Sequence, residues 1–319
     1  MRMPGEFSLI DAIARRVPAR NDVVLGIGDD AAILAVPAGR QLVVAMDTLN
    51  AGMHFPDGTA PADIGWKALA VNLSDLAAMG ARPAWCTLSL SLPGSDAGWV
   101  DGFLDGFLPL AALHDVALVG GDTTRGPLSV CVTAHGLVEP GRALRRDGAR
   151  VGDDVWVTGT PGDAAGALAQ WRAGGERDAA LRARLDRPTP RVEAGLALVG
   201  VAHAAIDVSD GLLADLGHVC AASGVGAEIQ LDALPASPML AAAFDPGQRR
   251  VLQCTGGDDY ELCFTLARER RGDMADVAEA VGVAMTRIGR IVAGDAVVAL
   301  DADGRRWTSQ RRGFEHFAD

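Results

Sequence analysis

The stretch from Asp63 to Pro83 constrains this chain most. Ile64, Ala68, Val71, Leu76 and Met79 recur at roughly helical spacing. Pro61 and Asp63 suit a helix start, and Gly80 followed by Pro83 suits a stop. The spacing predicts a helix beginning near Asp63 with one apolar face. Asn72 and Asp75 lie three apart and share a face. A carboxylate among Leu, Ala and Met needs a hydrogen-bonding partner or a metal. A neighbouring loop would satisfy that need for one Asp alone. Four other parts of the chain also set acids at Gly-rich strand ends, which moves the balance toward bound cations.

The chain has 319 residues, which suits two domains, and 49% hydrophobic residues supply ample core. Its net charge of −12 gives no basic footprint for nucleic acid. Lys67 is the only lysine, so no Gly-rich loop carries the lysine of a P-loop. Five cysteines, with no Cys-x-x-Cys pair, read as small core residues of a reduced, cytoplasmic protein. The start lacks the apolar run of a signal sequence, and Ala194 to Ile206 is too short to span a bilayer. No membrane association is expected.

Taken in order, Val23 to Ile27 reads as a strand, followed by a tight turn with Asp29 and Asp30. Leu42 to Met46 reads as a second, neighbouring strand ending in Asp47. Asn50 to Asp57 is a loop carrying His54. Thr87 to Leu92 alternates as a half-buried strand, and Trp99 to Leu113 is a helix. Val116 to Val119 is a strand running into the loop Gly120-Gly121-Asp122-Thr123-Thr124-Arg125-Gly126-Pro127, whose glycines let backbone approach a ligand. Leu128 to Leu137 is a further strand. A basic, Gly-rich connection from Glu139 to Asp154 marks the boundary between domains at 1–140 and 148–319. Its arginines, Arg146 among them, read as a solvated linker or a phosphate clamp.

In the second half, Gly159 to Asp163 is a turn before an Ala-rich helix through Trp171, a weak anion-binding signal. Val192 to Val201 is a helix. Asp207, Val208, Ser209, Asp210 and Gly211 join a strand to a helix, with Ser209 or Asp210 as N-cap. Pro235 to Phe244 is mostly helix and loop. Gly256-Gly257-Asp258-Asp259-Tyr260-Glu261 runs into a strand, and Phe314 lies in a polar tail beside Gly313, Glu315 and His316. The two halves read as different α+β units.

The reactive inventory is mostly Asp oxygen, which selects Mg2+, Mn2+ or Ca2+ over zinc. His-Glu-x-x-His and Gly-x-Ser-x-Gly are both absent. So many candidate ligands imply several ions bridging a polyphosphate. Such a site transfers a phosphoryl group by alignment and charge neutralisation, without a covalent enzyme intermediate.

These stretches resemble the thiamine-monophosphate kinase family, within the superfamily of aminoimidazole ribonucleotide synthetase. The matching pieces are Gly5 to Ile10, Gly26 to Asp30, Val71 to Ala81, Gly120 to Pro127, Ser209-Asp210-Gly211 and Gly256 to Phe264. The resemblance implies a two-domain α+β fold whose N-terminal sheets pair into a barrel across a homodimer. It implies ATP-dependent phosphorylation of thiamine phosphate to thiamine diphosphate, with Mg2+ as cofactor and no catalytic side chain as nucleophile. It implies Asp30, Asp47, Asp75, Asp122, Asp207 and Asp210 as metal ligands. It implies ATP contacts at Gly121, Asp122, Arg146 and Ser209, and thiamine phosphate contacts at His54, Asp258 and Phe314.

Three positions depart from the family's usual residues. Ala45-Met46 stands where Ser or Thr often flanks the metal-binding Asp. Asp258 replaces Glu, and Phe314 replaces Tyr or Trp. The rival readings are another ATP-dependent member of the superfamily and a non-catalytic, metal-dependent nucleotide-binding protein. A selenophosphate synthetase would need a reactive Cys near the N-terminus, where the first cysteine here is Cys86.

Overall fold

The helix expected from Asp63 forms as α2, but it is buried nearly all round rather than along one face. The structure, a computed structural model, describes residues 6–174, 178–309 and 313–314. Gly5, Glu315 and His316, named above, lie outside these. The chain divides into two units, one of Met1–Leu76 with Ala81–Gly141, the other of Ala77–Gly80 with Arg142–Asp319. The edge between the units falls at Gly141, and Ala77–Gly80, which include the last residues of the long helix, group with the second unit.

The first unit contains α1 (Glu6–Arg16), β1 (Val23–Leu25), β2 (Ile33–Leu34), β3 (Gln41–Asn50), α2 (Pro61–Ala78), β4 (Arg82–Leu92), α3 (Ala97–Leu113), β5 (Ala117–Arg125) and β6 (Ser129–Val138). One sheet has the order β3-β6-β4-β5, antiparallel except for parallel β4 and β5. Helix α2 approaches α3 closely through glycines. A Cβ on Gly65 would lie 2.1 Å from the Phe103 carbonyl oxygen, and one on Gly106 would lie 1.7 Å from that of Ala62. On its other side, Leu76 reaches Gly136 of β6. Covered from both directions, α2 buries Lys67, Asn72 and Ser74 along with its apolar residues. Asp96 caps α3 by accepting from the Trp99 N–H.

Three strand expectations change. Strand β1 pairs with β2 in a separate two-stranded sheet, so it is no sheet neighbour of β3. Strand β3 runs on to Asn50, which puts Asp47 inside a strand and not at its end. Strand β4 sits between β6 and β5 and is mostly buried, because a central strand is covered where an edge strand is not.

The second unit holds β7 (Asp154–Thr158), α4 (Asp163–Ala173), α5 (Ala179–Asp186), α6 (Val192–Leu198), β8 (Ala204–Asp207), α7 (Leu212–Ser223), β9 (Gly226–Gln230), α8 (Pro238–Ala243), α9 (Pro246–Thr255), β10 (Leu262–Leu266), α10 (Asp273–Val281), β11 (Met285–Val292), β12 (Val297–Leu300) and β13 (Arg306–Trp307). Its sheet has the order β13-β12-β9-β11-β7-β10-β8, antiparallel except between β12 and β9. Val155, Val157, Ile206, Leu212, Leu216 and Ile229 belong to the core around this sheet. A second, smaller core joins Ala164, Leu181, Leu185, Leu240 and Leu252 of the helices α4, α5, α8 and α9. The fold is α+β in both units.

Candidate active site

In the first unit, the candidate acids lie at surfaces of the sheet and its loops. Asp29 and Asp30 are exposed in the turn after β1, where Gly28 adopts a φ of 123°. The Asp29 side chain accepts from the Asp30 N–H at 2.8 Å. Asn72 links β3 to α2: its Oδ1 accepts from the Asp47 N–H at 3.1 Å, and its Nδ2 donates to the Ala68 carbonyl. The buried amide thereby fixes Asp47 against the helix one turn before half-buried Asp75. Lys67 Nζ donates to the His54 carbonyl at 3.0 Å, and His54 Nδ1 accepts from the Asn50 N–H. A buried lysine thus holds the His54 loop, a role the sequence reading missed.

The expected loop at Gly120 is instead part of β5, lying parallel to β4 with Gly121 opposite Leu88. A Cβ on Gly121 would sit 1.8 Å from the Leu88 carbonyl oxygen, so the glycine is required by the neighbouring strand. Its φ of 152° and the register shift beside Thr87 mark a bulge. Asp122 is exposed on this edge strand.

In the second unit, several candidates meet at one turn. The Asp258 N–H donates to the Ser209 carbonyl and the Tyr260 N–H to the Val208 carbonyl, each at 2.8 Å. The Val208 N–H returns a bond to Glu261, and the Phe314 N–H donates to the Asp210 carbonyl at 2.9 Å. Ser209, Asp210, Asp258 and Phe314 are therefore fastened together, with Asp207 immediately before them on β8. Gly257 permits this contact, since a Cβ there would lie 2.4 Å from the Ser209 carbonyl oxygen. Asp258 and Tyr260 adopt φ of 67° and 51°. Such conformations cost roughly 1–3 kcal/mol each and persist only when surroundings fix them. The Tyr260 hydroxyl donates to Asp258 Oδ1 at 3.1 Å. Phe314 is 44% exposed, which leaves a ring face for a ligand.

Neither Ser209 nor Asp210 caps α7. The N-cap is Gly211, and Asp215 Oδ2 accepts from the Ser209, Asp210 and Gly211 N–H groups at 3.0, 3.1 and 3.0 Å. Burial pushes the Asp215 carboxyl up to about 7, the Asp207 charge adds to this, and the Gly211 N–H opposes it. The signal available in the sequence was an acid four residues after Gly211. The anion site expected before α4 is likewise filled from within, because Asp259 Oδ2 accepts from the Gly162 N–H at 2.7 Å. Arg146 is exposed in a short 3-10 turn, and its carbonyl accepts from Ser223 Oγ at 2.8 Å.

Among the described residues, no three His, Cys, Asp or Glu side chains converge closely enough to hold a metal by themselves. Asp30, Asp47, Asp75 and Asp122 belong to the first unit, and Asp207 and Asp210 to the second. Carboxylate oxygens are hard donors of the kind Mg2+ takes, one or two at a time, with water and phosphate oxygens completing the shell. All the candidate donors are hard oxygens, and crowding of Asp207 and Asp210 near Asp215 is what a cation relieves. No described helix is long and apolar enough to cross a membrane.

Comparison with known proteins gives the family of the chain. Residues 28–138 match the AIR synthase related protein N-terminal domain, and residues 150–301 its C-terminal domain. The thiamine-monophosphate kinase of Salmonella typhimurium is 48% identical over 320 residues, covering 98% of both chains. The crystal structure of the thiamine-monophosphate kinase from Stenotrophomonas maltophilia superposes with a TM-score of 0.88 at 55% identity, over 95% of this chain and 98% of that one. A structure of AaThiL complexed with AMPPCP and TMP gives a TM-score of 0.78 at 34% identity, over 99% of each chain. The chain belongs to the thiamine-monophosphate kinase family.

Proposed function

We infer that this protein catalyses the ATP-dependent phosphorylation of thiamine phosphate to thiamine diphosphate. The observation that carries the reading is kinship over the full length, to a kinase on one side and to a complex with an ATP analogue and TMP on the other. The terminal phosphate oxygen of thiamine phosphate attacks the γ-phosphorus of ATP. A new P–O bond forms, the bond to the β-phosphate oxygen breaks, and ADP leaves.

Asp30, Asp47, Asp75, Asp122, Asp207 and Asp210 would hold Mg2+. Bound there, it supplies the charge neutralisation that a transferring phosphoryl group needs. Gly121, Asp122, Arg146 and Ser209 contact ATP, Arg146 offering a planar fork to a phosphate. His54, Asp258 and Phe314 contact thiamine phosphate. The fastening of Phe314 and Asp258 to the Ser209–Asp210 turn supports this, since it sets acceptor and nucleotide groups side by side. The two units correspond to an N-terminal ATP and Mg2+ domain and a C-terminal domain.

The working form is a homodimer. Strand β3 is a sheet edge, and Leu42, Val44 and Met46 on it are 47%, 56% and 64% exposed, a surface that natural proteins cover. Five cysteines, all free, support residence in the reducing cytoplasm. A substrate panel of thiamine, thiamine phosphate and aminoimidazole precursors, assayed for ADP release, tests the reading. Turnover with thiamine phosphate alone is expected. Nucleotide binding without turnover on any acceptor would leave a binding protein.

A further inference from the structure

The segment carrying Asp258 is anchored just after it by two buried acids, Asp259 and Glu261, whose hydrogen bonds go to partners other than the Ser209–Asp210 turn. Glu261 is fully buried. Its carboxylate accepts from Arg191 Nε at 2.6 Å and Nη2 at 2.5 Å, from Arg184 Nη2 at 2.6 Å and from Thr158 Oγ1 at 2.7 Å. Gly159 leaves room for it, because a Cβ there would lie 2.1 Å from Glu261 Oε1. Two residues earlier, Asp259 is also buried and tethers the segment to the start of α4 through the Gly162 N–H. Its Oδ1 has no hydrogen-bond partner. Burial, assisted by the Glu261 charge and opposed by the Gly162 N–H, holds its carboxyl well above the ordinary range.

Tyr260 lies between these anchors and Asp258 just before the first, and both are left-handed. Neither is glycine, so the turn relaxes unless its ends are held. A carboxyl group buried with one unsatisfied oxygen is a poor stabilising device. A purely structural account would favour an apolar side chain at 259. The arrangement makes sense as a means of aiming the residue between the anchors and the Ser209–Asp210 turn.

We propose that Asp259, Glu261 and Arg191 are positioning residues that fix the left-handed Asp258 turn and so aim the Asp258 carboxylate at thiamine phosphate. This rests on the reading that Asp258 contacts that substrate. None of the three touches the reacting atoms.

The test is a double-mutant cycle on the full-length enzyme, with KM for both substrates and the melting temperature measured for every variant. Arg191→Lys keeps the charge but loses the fork. Asp259→Ala removes the tether together with its unsatisfied oxygen, so it is expected to fold even where Arg191→Lys does not. Each should raise KM for thiamine phosphate by about 10-fold, as for a contact group misplaced by a fraction of an ångström. KM for ATP should not change. In an Asp258→Ala background, both substitutions should add nothing further. The same factor in both backgrounds would overturn the positioning role while leaving Asp258 as a contact. A joint rise in both KM values with a lowered melting temperature would overturn it too. If Asp258→Ala itself leaves KM for thiamine phosphate unchanged, the contact reading fails, and the inference with it.

Discussion

Gly120-Gly121-Asp122 and Gly256-Gly257-Asp258-Asp259 share a local sequence and fold in opposite ways. The first lies in an extended edge strand, with Gly121 pressed on Leu88 and the Asp122 side chain exposed. The second is a turn folded back on Ser209, with Asp259 buried. The same contrast runs through the two units. Asp29, Asp30 and Asp122 of the first are exposed. In the second, Asp163, Asp215, Asp259 and Glu261 are buried and claimed by backbone N–H groups, hydroxyls or arginines. An acid in such a segment is thus two different devices: a ligand offered outward, or an internal hydrogen-bond acceptor that shapes the turn presenting another ligand.

The largest effects should come from the candidate metal-binding acids of the first unit, half-buried Asp75 and exposed Asp122. Asp75→Asn and Asp122→Asn keep shape and remove charge. Each should lower kcat at saturating ATP and Mg2+ by more than about 100-fold, since even residues behind metal ligands cost 10–100-fold. Melting temperature without metal should stay level or rise, because carboxylate repulsion is relieved. Near-normal turnover in either variant would collapse the distinction between the two kinds of acid.

The inward acids should show the reverse pattern. Asp215→Ala strips the acceptor from three N–H groups at the start of α7. It should cost about 2 kcal/mol in denaturant unfolding, the scale of a lost cap and of buried donors left unmet. Full stability would mean that solvent replaces the carboxylate.

How much of this could be read from residues alone follows the same division. The helix from Asp63 was legible because its spacing and its stop signals agree. Its full burial was not, because close approach through Gly65 and Gly106 depends on a partner helix. The acids stand out in the sequence as hard-oxygen donors, since that chemistry needs no geometry. Which of them face inward was not legible, because Asp215 acts on a turn that precedes it and Asp259 on a distant loop. Helix α9 was missed although Asp245, Pro246 and Gln248 form a capping box, because Gly247 inside it reads as a loop. Helix α5 was also missed: it is short, and only Leu181 and Leu185 are buried along it.

A glycine pair sharpens the comparison on a smaller scale. Gly121→Ala places a Cβ against the Leu88 carbonyl and should destabilise the first unit by about 1–3 kcal/mol, as overpacking does. For Gly120→Ala the nearest atom is Thr87 Cγ2 at 4.0 Å, so the change should stay within about 0.5 kcal/mol. Denaturation midpoints of both variants check this. Equal tolerance would return Gly121 to a role in ligand approach alone.

A small effect confined to one ligand is expected at Phe314, where the second unit turns a ring outward. Its backbone N–H is held by the Asp210 carbonyl, and Ala keeps that bond, so Phe314→Ala removes the ring without cutting the tether. The ring is 44% exposed, so little core packing is lost. Stacking on the thiamine ring system is worth about 0.5–1.5 kcal/mol beyond burial, which corresponds to roughly a 2- to 10-fold weaker affinity for thiamine phosphate. ATP affinity should not move. Titration calorimetry with each ligand separates the outcomes: a loss confined to thiamine phosphate identifies a stacking face, and Phe314→Trp should then restore it. An equal loss for both ligands would show that the residue holds the Ser209–Asp210 turn in place, as Asp215 does from the other side.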